Sequence, residues 1–439
     1  MNEKNLVVVG LGYVGLPLAV LAKQKGWEVT GVDVDSDKVD RINNGELPLR
    51  DEDLAKDFKE YRPKATTDAS VVRDASAIII AVPTPVNEEN LPDLGPVLSA
   101  ITSVLPHLAS GQVLIVESTV NPGVMDEMIL PVLRERKDSV IDADVKPGED
   151  AVFVLHCPER VNPGDPKWTV RNIPRVIGGY SKEGVAKGKQ VYEAILDAPV
   201  LAMSSATEAE AVKILENTFR DINIAFINEM AKSFSKLGID ITNVIKGAAT
   251  KPFAFMPHYP GNGVGGHCIS VDPYYMIERA KQVGFDHEFL KLARNINDSM
   301  PAYTIERMQE GLAKLQMNSS EVTVAMLGVA YKKDIDDIRE SPCLEIIHLL
   351  SGKVKETRVF DPFVSSKSTV ATMDDAVKGA DVVMLGTNHT EMTAIPTPEY
   401  LKSMGVKLVV DGKNAIDGQV MANAGIPYYG IGRTYADTI

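Results

Sequence analysis

Cysteine is scarce in this sequence: Cys157, Cys268 and Cys343 are the only three in 439 residues, and they show no CxxC spacing. Neither a disulfide framework nor a cysteine-rich zinc site is therefore expected. No segment approaches the roughly 18 consecutive apolar residues that a membrane helix needs. The opening residues 1–4 lead directly into an apolar run and leave no room for a signal peptide, so we expect a cytoplasmic protein.

Positive charge is also in short supply. Lysine and arginine total 46 against 60 acidic residues, for a formal net charge of −14. Partners with dense negative charge, such as nucleic acid and anionic membranes, are therefore not expected. A small nucleotide is still compatible with this balance, because a few local cations and helix N-termini suffice to hold it. The length suits two or three domains.

Short apolar runs alternate with helix-like segments through the first two hundred residues. This rhythm predicts a parallel, doubly wound α/β sheet. The strand candidates are Leu6–Gly10, Glu28–Asp33, Ala77–Val82, Val113–Thr119, Val152–His156 and Val176–Gly179.

The segment from Ser205 to about Leu237 lacks glycine and proline and repeats apolar residues at helical spacing, which predicts a long central helix. A second α/β unit follows, with strands predicted at Val322–Leu327, Thr357–Phe360, Asp381–Leu385 and Lys407–Val410. The predicted fold is two Rossmann-like, doubly wound parallel-sheet domains joined by this helix. The expected domain boundaries are 1–204, 205–305 and 306–439.

A glycine triplet, Gly10, Gly12 and Gly15, lies between the first predicted strand and a helix, and Asp33 ends the next strand. Gly10 permits a tight turn, Gly12 lets the backbone approach a pyrophosphate, and Gly15 allows close helix packing. A carboxylate at Asp33 suits the ribose hydroxyls and disfavours the extra phosphate of NADP. The pattern predicts NAD as cofactor.

Glycines at 261, 263, 265 and 266 precede Cys268, and Asp272-Pro273 follows as a possible N-cap and first helical residue. We interpret the glycines as a flexible backbone that gives a substrate access to the thiol. A nearby helix N-terminus would lower the pKa of that thiol and favour the nucleophilic thiolate. Cys157 and Cys343 are interpreted as ordinary buried cysteines.

These motifs occur together in one order along the chain: the glycine triplet, Val82-Pro83-Thr84-Pro85, Glu117-Ser118-Thr119-Val120, Pro158-Glu159-Arg160, Lys213 with Asn217, the GGHC segment and residues 332–342. From Gly10 to Arg433 the sequence closely resembles the UDP-glucose/UDP-N-acetylhexosamine dehydrogenase family. The resemblance implies four-electron oxidation of a UDP-sugar C6 hydroxyl by NAD, in the synthesis of a polysaccharide or glycan precursor. It also implies NAD binding for residues 1–204, dimerisation and the catalytic loop for 205–305, and UDP-sugar binding for 306–439.

Site residues follow from this resemblance. Cys268 is implied as the nucleophile, Lys213 and Asn217 as oxyanion stabilisers, and Asp272 and Glu159 as proton-handling groups with a water near Thr119. The cofactor-binding set is Gly10, Gly12, Tyr13, Val14, Gly15, Asp33, Lys38, Pro83, Thr84, Thr119, Lys332 and Arg339. The substrate-binding set is Glu159, Arg160, Val161, Lys213, Asn217, Arg220, Phe255, Gly261, Gly263, Gly265, His267, Tyr331 and Lys332. Without the family pattern, Lys213, Glu159 and Asp272 would be interpreted as a solvated charge, a surface acid and a cap.

Two positions in the thiol loop bear on the choice of sugar. Val271 stands where glucose-specific relatives usually carry lysine, and His267 precedes the thiol, which resembles the N-acetylhexosamine branch acting on UDP-GlcNAc or UDP-ManNAc. The alternative substrate is UDP-glucose. Two other functions stay open: a single-hydride hydroxyacid-type dehydrogenase, which needs no thiol, and a non-catalytic sugar-nucleotide sensor. The central helix resembles the family's dimerisation element, so a homodimer or larger homo-oligomer is expected.

Overall fold

The computed structural model describes residues 4–49, 51–85, 93–136, 140–161, 167–266, 269–393 and 396–435. The chain divides into two compact units. The first comprises Met1–Glu216 and Tyr274–Phe285, and the second comprises Asn217–Pro273 and Asp286–Ile439. The division into three domains at 204 and 305 stays a prediction.

The first unit contains an eight-stranded sheet in the order β3-β2-β1-β4-β5-β6-β7-β8. Every strand predicted in this half is present, and two three-residue strands, β3 and β8, are additional because such short strands leave no readable pattern. The strands are β1 Asn5–Val9, β2 Glu28–Val32, β3 Lys64–Thr66, β4 Ala77–Ile80, β5 Val113–Val116, β6 Phe153–His156, β7 Arg175–Gly179 and β8 Val200–Ala202.

Two strands, β7 and β8, depart from the predicted parallel arrangement, and they run parallel to each other. β7 runs antiparallel to β6, with His156 opposite Gly178. A parallel neighbour needs a crossover, usually a helix, and the described parts of this connection, 157–161 and 167–174, contain none. The reversal brings the first residue of β7, Arg175, to the carboxyl end of β6.

Alternate residues of the strands face opposite sides of the sheet. Val7 and Val9 pack into one buried cluster, whereas Leu6 and Val8 pack into another. This alternation covers both faces of the sheet with helices, as in doubly wound folds. The helices of this part of the chain are α1 Gly15–Gln24, α2 Ser36–Asn43, α3 Glu52–Glu60, α4 Gly95–Val104, α5 Leu130–Leu133 and α6 Lys182–Ile195.

The predicted central helix is confirmed as α7, Ala206–Lys236. Its first part belongs to the first unit and its second part to the second unit. The helices that follow it are α8 Ile241–Ala248, α9 Asp272–Gln282, α10 Glu288–Asp298 and α11 Met300–Lys314. α9 begins at Asp272 itself, so this aspartate is the first helical residue and not the N-cap that its sequence context suggested.

The second unit contains a six-stranded sheet in the order β10-β9-β11-β12-β13-β14. Its last pair is antiparallel because β13 and β14 form a tight hairpin around Gly432, whose φ is +71°. The strands are β9 Thr323–Leu327, β10 Glu356–Phe360, β11 Val382–Leu385, β12 Leu408–Asp411, β13 Tyr428–Gly430 and β14 Arg433–Tyr435. The helices are α12 Pro342–Leu350, α13 Met373–Val377, α14 Thr390–Thr393, α15 Pro398–Met404 and α16 Gly418–Asn423.

Both sheets therefore have the predicted Rossmann-like architecture. In each one the strand order reverses beside the first strand of the unit, between β1 and β4 and between β9 and β11. Ligands of open α/β sheets bind at the carboxyl ends of the strands at such a switch point. Within the described ranges, no helix is long and apolar enough to span a bilayer.

Candidate active site

The glycine triplet occupies the turn between β1 and α1, at the first switch point. Gly10 has a φ of +95°, and a Cβ atom there would lie 2.6 Å from the carbonyl oxygen of Ala81. A Cβ at Gly15 would collide with the carbonyl of Gly10, whereas one at Gly12 would meet no atom within 4 Å. Gly10 and Gly15 are thus required by packing, and Gly12 faces open space, which fits a bound pyrophosphate.

Asp33 follows β2 and fixes this turn with its buried carboxylate. One carboxylate oxygen accepts the backbone N–H of Leu11 at 2.8 Å and the ammonium of Lys38 at 2.9 Å. The other accepts the N–H of Asp35 at 3.1 Å. The structure thus brings Asp33 and Lys38 to the glycine turn, which also contains the exposed Tyr13 and the half-buried Val14.

A second turn, Val82-Pro83-Thr84-Pro85, follows β4 on the other side of the switch point. The hydroxyl of Ser118 donates to the carbonyl of Val82 at 2.7 Å. The hydroxyl of Tyr275, a fully buried residue of α9, donates to the carbonyl of Thr84 at 2.6 Å. The turn is therefore held at both ends by side chains that the sequence motifs did not identify as its supports.

One face of α7 binds the loops at the carboxyl edge of the first sheet. Glu210 accepts the backbone N–H groups of Gly123 and Met125 at 2.7 and 2.8 Å, in the segment after Thr119. Three residues later, the Nζ of Lys213 lies 3.7 Å from Oε2 of Glu159, and both side chains are buried. Lys213 and Glu159, two of the predicted site residues, are thus in ionic contact.

The same face continues to Glu216, which binds the guanidinium of Arg160 through both of its carboxylate oxygens. Arg160 also donates to the carbonyl of Pro174 at 2.9 Å. These contacts give the side chain of Arg160 a part in holding its own loop. Its role in binding the substrate stays a prediction. Val161 follows it and is half-buried.

Asn217 lies one helical turn after Lys213 on α7, and its contacts belong to the second unit. Its Nδ2 donates to Oδ2 of Asp272 at 2.6 Å, and both residues are buried. Because positions four apart on a helix share a face, the ammonium of Lys213 and the amide of Asn217 project from the same side of α7. Arg220, also predicted as a substrate contact, is exposed on the next turn.

The glycine-rich segment 261–266 packs closely against the loop that precedes α12. A Cβ at Gly263 would lie 2.9 Å from Pro342, one at Gly265 would lie 2.5 Å from the carbonyl oxygen of Glu340, and one at Gly266 would lie 2.7 Å from the ring of Tyr331. Close packing therefore requires glycine at these three positions, whereas a Cβ at Gly261 would lie at an ordinary 3.4 Å from the carbonyl oxygen of Gly412. The flexibility of the segment stays a prediction. His267 and Cys268 lie outside the described residues.

The loop after β9 repeats the backbone arrangement of the cofactor turn. The N–H of Gly328 donates to the carbonyl of Phe360, as the N–H of Gly10 donates to that of Val32. Asp361 accepts the N–H groups of Val329 and Ala330 at 2.6 and 3.1 Å.

His389 supports the carboxylate of Asp361, which its Nε2 approaches to 3.1 Å. Burial favours the neutral acid, but the hydrogen bonds from His389 and from the backbone outweigh it and lower the pKa of Asp361 to about 2. A charged Asp361 therefore holds this loop in shape at neutral pH. Along the same loop, Tyr331 and Lys332 are half-buried, and Arg339 binds Asp337 with its guanidinium at 2.6 Å.

Three consecutive pieces of the chain match one known protein family. Residues 4–196 match the NAD binding domain of the UDP-glucose/GDP-mannose dehydrogenase family, residues 207–299 its central domain, and residues 325–418 its UDP binding domain. The chain belongs to this family. It is an NAD-dependent nucleotide-sugar dehydrogenase with a UDP-binding domain, and the predictions of family, fold and cofactor are confirmed.

Individual relatives agree over nearly the full length. A UDP-N-acetyl-D-mannosamine dehydrogenase of Pyrococcus horikoshii is 34% identical, covering 98% of this chain and 99% of that protein. A UDP-N-acetyl-D-glucosamine 6-dehydrogenase of Pseudomonas aeruginosa is 34% identical, covering 89% of this chain and 92% of that protein. The solved UDP-D-ManNAc dehydrogenase structure from Pyrococcus horikoshii superposes with a TM-score of 0.89 at 33% identity, covering 98% and 99% of the two chains.

The hydroxyl of Tyr275 gives a first testable prediction. Tyr275→Phe removes one buried hydrogen bond from the turn after β4, a loss of about 1 kcal/mol, and we expect roughly fivefold weaker NAD binding in a titration calorimetry experiment. Tyr303→Phe is the matched control, because Tyr303 is a buried tyrosine of α11 whose hydroxyl has no partner among the described residues. Equal NAD affinity in the Tyr275 variant and the wild type would contradict the assignment.

The packing of the glycine segment gives a second prediction. Gly265→Ala places a methyl group against Glu340 and Tyr331, so we expect a lower melting temperature and weaker binding of the nucleotide sugar, measured by thermal unfolding and calorimetry. Gly247→Ala is the control, since a Cβ there meets no atom within 4 Å and alanine favours the helix α8. If both variants melt like the wild type, the close packing of the segment is not required.

Proposed function

We propose that this enzyme oxidises the C6 hydroxyl of a UDP-N-acetylhexosamine, either UDP-GlcNAc or UDP-ManNAc, to a carboxylate, for polysaccharide or glycan precursor synthesis. The observation that carries the proposal is the pair of buried contacts on one face of α7, Lys213 with Glu159 and Asn217 with Asp272. The names of the two relatives support an N-acetylated sugar. Val271, which lies buried before Asp272, also favours this branch over UDP-glucose, the alternative substrate.

The proposed reaction consumes one alcohol, two NAD⁺ and one water and yields one carboxylate, two NADH and three protons. C6 first loses a hydride and its hydroxyl loses a proton, which gives an aldehyde. The thiolate of Cys268 then adds to the aldehyde carbon, loss of a second hydride converts this adduct into a thioester, and water hydrolyses the thioester to the acid and the thiol. NAD, when bound, accepts each hydride.

The described side chains suit this chemistry. Lys213 and Asn217, one turn apart, can direct an ammonium and an amide N–H at one developing oxyanion. Asp272 accepts the hydrogen bond of Asn217, which orients the amide, and it can take a proton from C6–OH. Glu159, beside Lys213, and the half-buried Thr119 would hold the water that attacks the thioester.

The first unit's residues fit NAD. Gly12 leaves room for the pyrophosphate, the N-terminus of α1 faces it, and Asp33 follows β2 where a ribose hydroxyl would bind. Tyr13, Val14, Lys38, Pro83 and Thr84 would line the same cleft. Lys332 and Arg339 belong to the second unit, where their cations suit a diphosphate. Binding of the cofactor by these two residues is also part of the proposal.

The remaining substrate contacts are proposed on the family pattern. Two of them, Arg160 and Val161, belong to the first unit. The others belong to the second unit and are Arg220, Phe255, Gly261, Gly263, Gly265, His267, Tyr331 and Lys332. A single-hydride hydroxyacid-type enzyme would use neither the thiol nor a UDP-binding domain. A non-catalytic sensor would not need the buried Lys213–Glu159 pair, which costs desolvation energy.

A count of NADH tests the reaction. With UDP-GlcNAc, UDP-ManNAc, UDP-GalNAc and UDP-glucose supplied in limiting amounts, we expect two NADH per sugar consumed and the highest kcat/KM for UDP-GlcNAc or UDP-ManNAc. A ratio of one in a completed reaction contradicts the covalent mechanism. Preference for UDP-glucose contradicts only the choice of sugar.

The thiol is tested separately. Cys268→Ser should lower kcat by several orders of magnitude, because an alkoxide is not available at neutral pH, while NAD still binds with unchanged affinity. Cys343→Ala is the control for removal of a cysteine, since Cys343 is fully buried in α12 and has no proposed chemical role. Normal turnover by Cys268→Ser would reject the nucleophile.

We further propose that the enzyme is cytoplasmic and forms a homodimer or larger homo-oligomer through α7. The rings of Phe219 and Phe226 on this helix are 44% and 55% exposed in the single chain, and burial in a second copy would remove them from water. Phe226→Glu should therefore shift the mass measured by light scattering toward the monomer. Val420→Glu, on α16, is the control for an added surface charge, and an unchanged mass in both variants argues against α7 as the interface.

A further inference from the structure

Glu117 and Arg175 form an ion pair that is completely removed from solvent. The Nη1 of Arg175 lies 2.5 Å from Oε1 of Glu117, and both side chains are fully buried. Glu117 directly follows β5, and Arg175 is the first residue of β7. The antiparallel direction of β7 therefore brings a cation to the carboxyl edge of a sheet whose central strands are apolar.

The pair connects the two loops that carry Thr119 and Glu159. The N–H of Glu117 donates to the carbonyl of Ile80 at 2.8 Å, and Thr119 follows two residues later. On the other side, Nη1 of Arg175 approaches the carbonyl of Pro158 at 3.5 Å, and the N–H of Glu159 donates to the carbonyl of Glu117 at 3.3 Å. Displacement of either charged group would move both loops.

Burial of this pair is costly. Desolvation, together with a smaller contribution from the neighbouring carboxylate of Glu159, raises the pKa of Glu117 to about 7 although Arg175 opposes the rise. Apolar residues of similar volume often replace a buried ion pair without loss of stability. Stability alone therefore does not account for two charges at this position.

We infer that Glu117 and Arg175 are positioning residues that hold Thr119 and Glu159 at the place where water attacks the covalent intermediate. The inference rests on the proposed function, because the roles of Thr119 and Glu159 belong to it. Neither Glu117 nor Arg175 is assigned contact with substrate or cofactor. We expect their main effect on the last step, the reaction of the thioester with water to give carboxylate and thiol.

The expected signature is a trapped adduct. In Glu117→Gln, Arg175→Met and the double variant, the two oxidation steps proceed, but displaced water-holding groups slow hydrolysis. We expect kcat to fall roughly ten- to hundredfold, with a burst of NADH and an increase in intact protein mass by the bound UDP-sugar acyl group. A purely structural defect would lower the active fraction without accumulating this adduct.

The double variant protects the test against misfolding, since it leaves no uncompensated buried charge. Arg175→Lys retains the cation and should recover part of kcat with less adduct. Normal turnover of the double variant, or slow turnover without adduct, overturns the inference.

Glu159→Gln separates this inference from the function on which it rests. If Glu159→Gln accumulates the adduct and the Glu117 and Arg175 variants do not, only the positioning role fails. If Glu159→Gln itself hydrolyses the intermediate at the normal rate, the proposed role of Glu159 is wrong, and the inference fails with it.

Discussion

The contact between Lys213 and Glu159 is the constraint around which the first unit's site is arranged. Both side chains are buried, and either charge left alone in the interior would cost several kcal/mol. Each group therefore determines where the other can lie. Glu210 and Glu216 lie three residues before and three residues after Lys213, and they bind other loops. A single face of the helix therefore fixes loop backbone that is not held by the hydrogen bonds of a sheet.

The turn after the first strand has the same backbone hydrogen bonds in both sheets, but the groups available to bind an anion differ. In both, a glycine N–H caps the neighbouring strand and an aspartate receives the next N–H groups. In the first unit α1 begins at Gly15, directly after the glycine turn, so in the proposed function its N-terminus would face the phosphates of NAD. In the second unit α12 begins only at Pro342, after a longer loop that carries Lys332 and Arg339. In the proposed function these two side-chain cations would take the place of the helix N-terminus.

Sequence patterns predicted those features that depend on local rules. The glycine triplet, the alternating strands and α7, whose observed ends differ by one residue from the expected ones, all follow from spacing. The direction of β7 and the short strands β3 and β8 depend on tertiary pairing, which spacing does not record. For the same reason Arg175 could be recognised only as a charge ahead of an apolar strand, without its partner Glu117.

Composition alone does not distinguish a glycine segment that is flexible from one that is closely packed. Gly263, Gly265 and Gly266 would be equally suitable for a flexible loop or for one pressed against its neighbour, and only the positions of Tyr331 and Pro342 distinguish the two. The N–H of Gly266 donates to the carbonyl of Arg339 at 3.0 Å. The backbone leading to the thiol is thus bonded to the loop 331–342, so in the proposed function a UDP-sugar bound to this loop would also restrict the segment that ends at position 266.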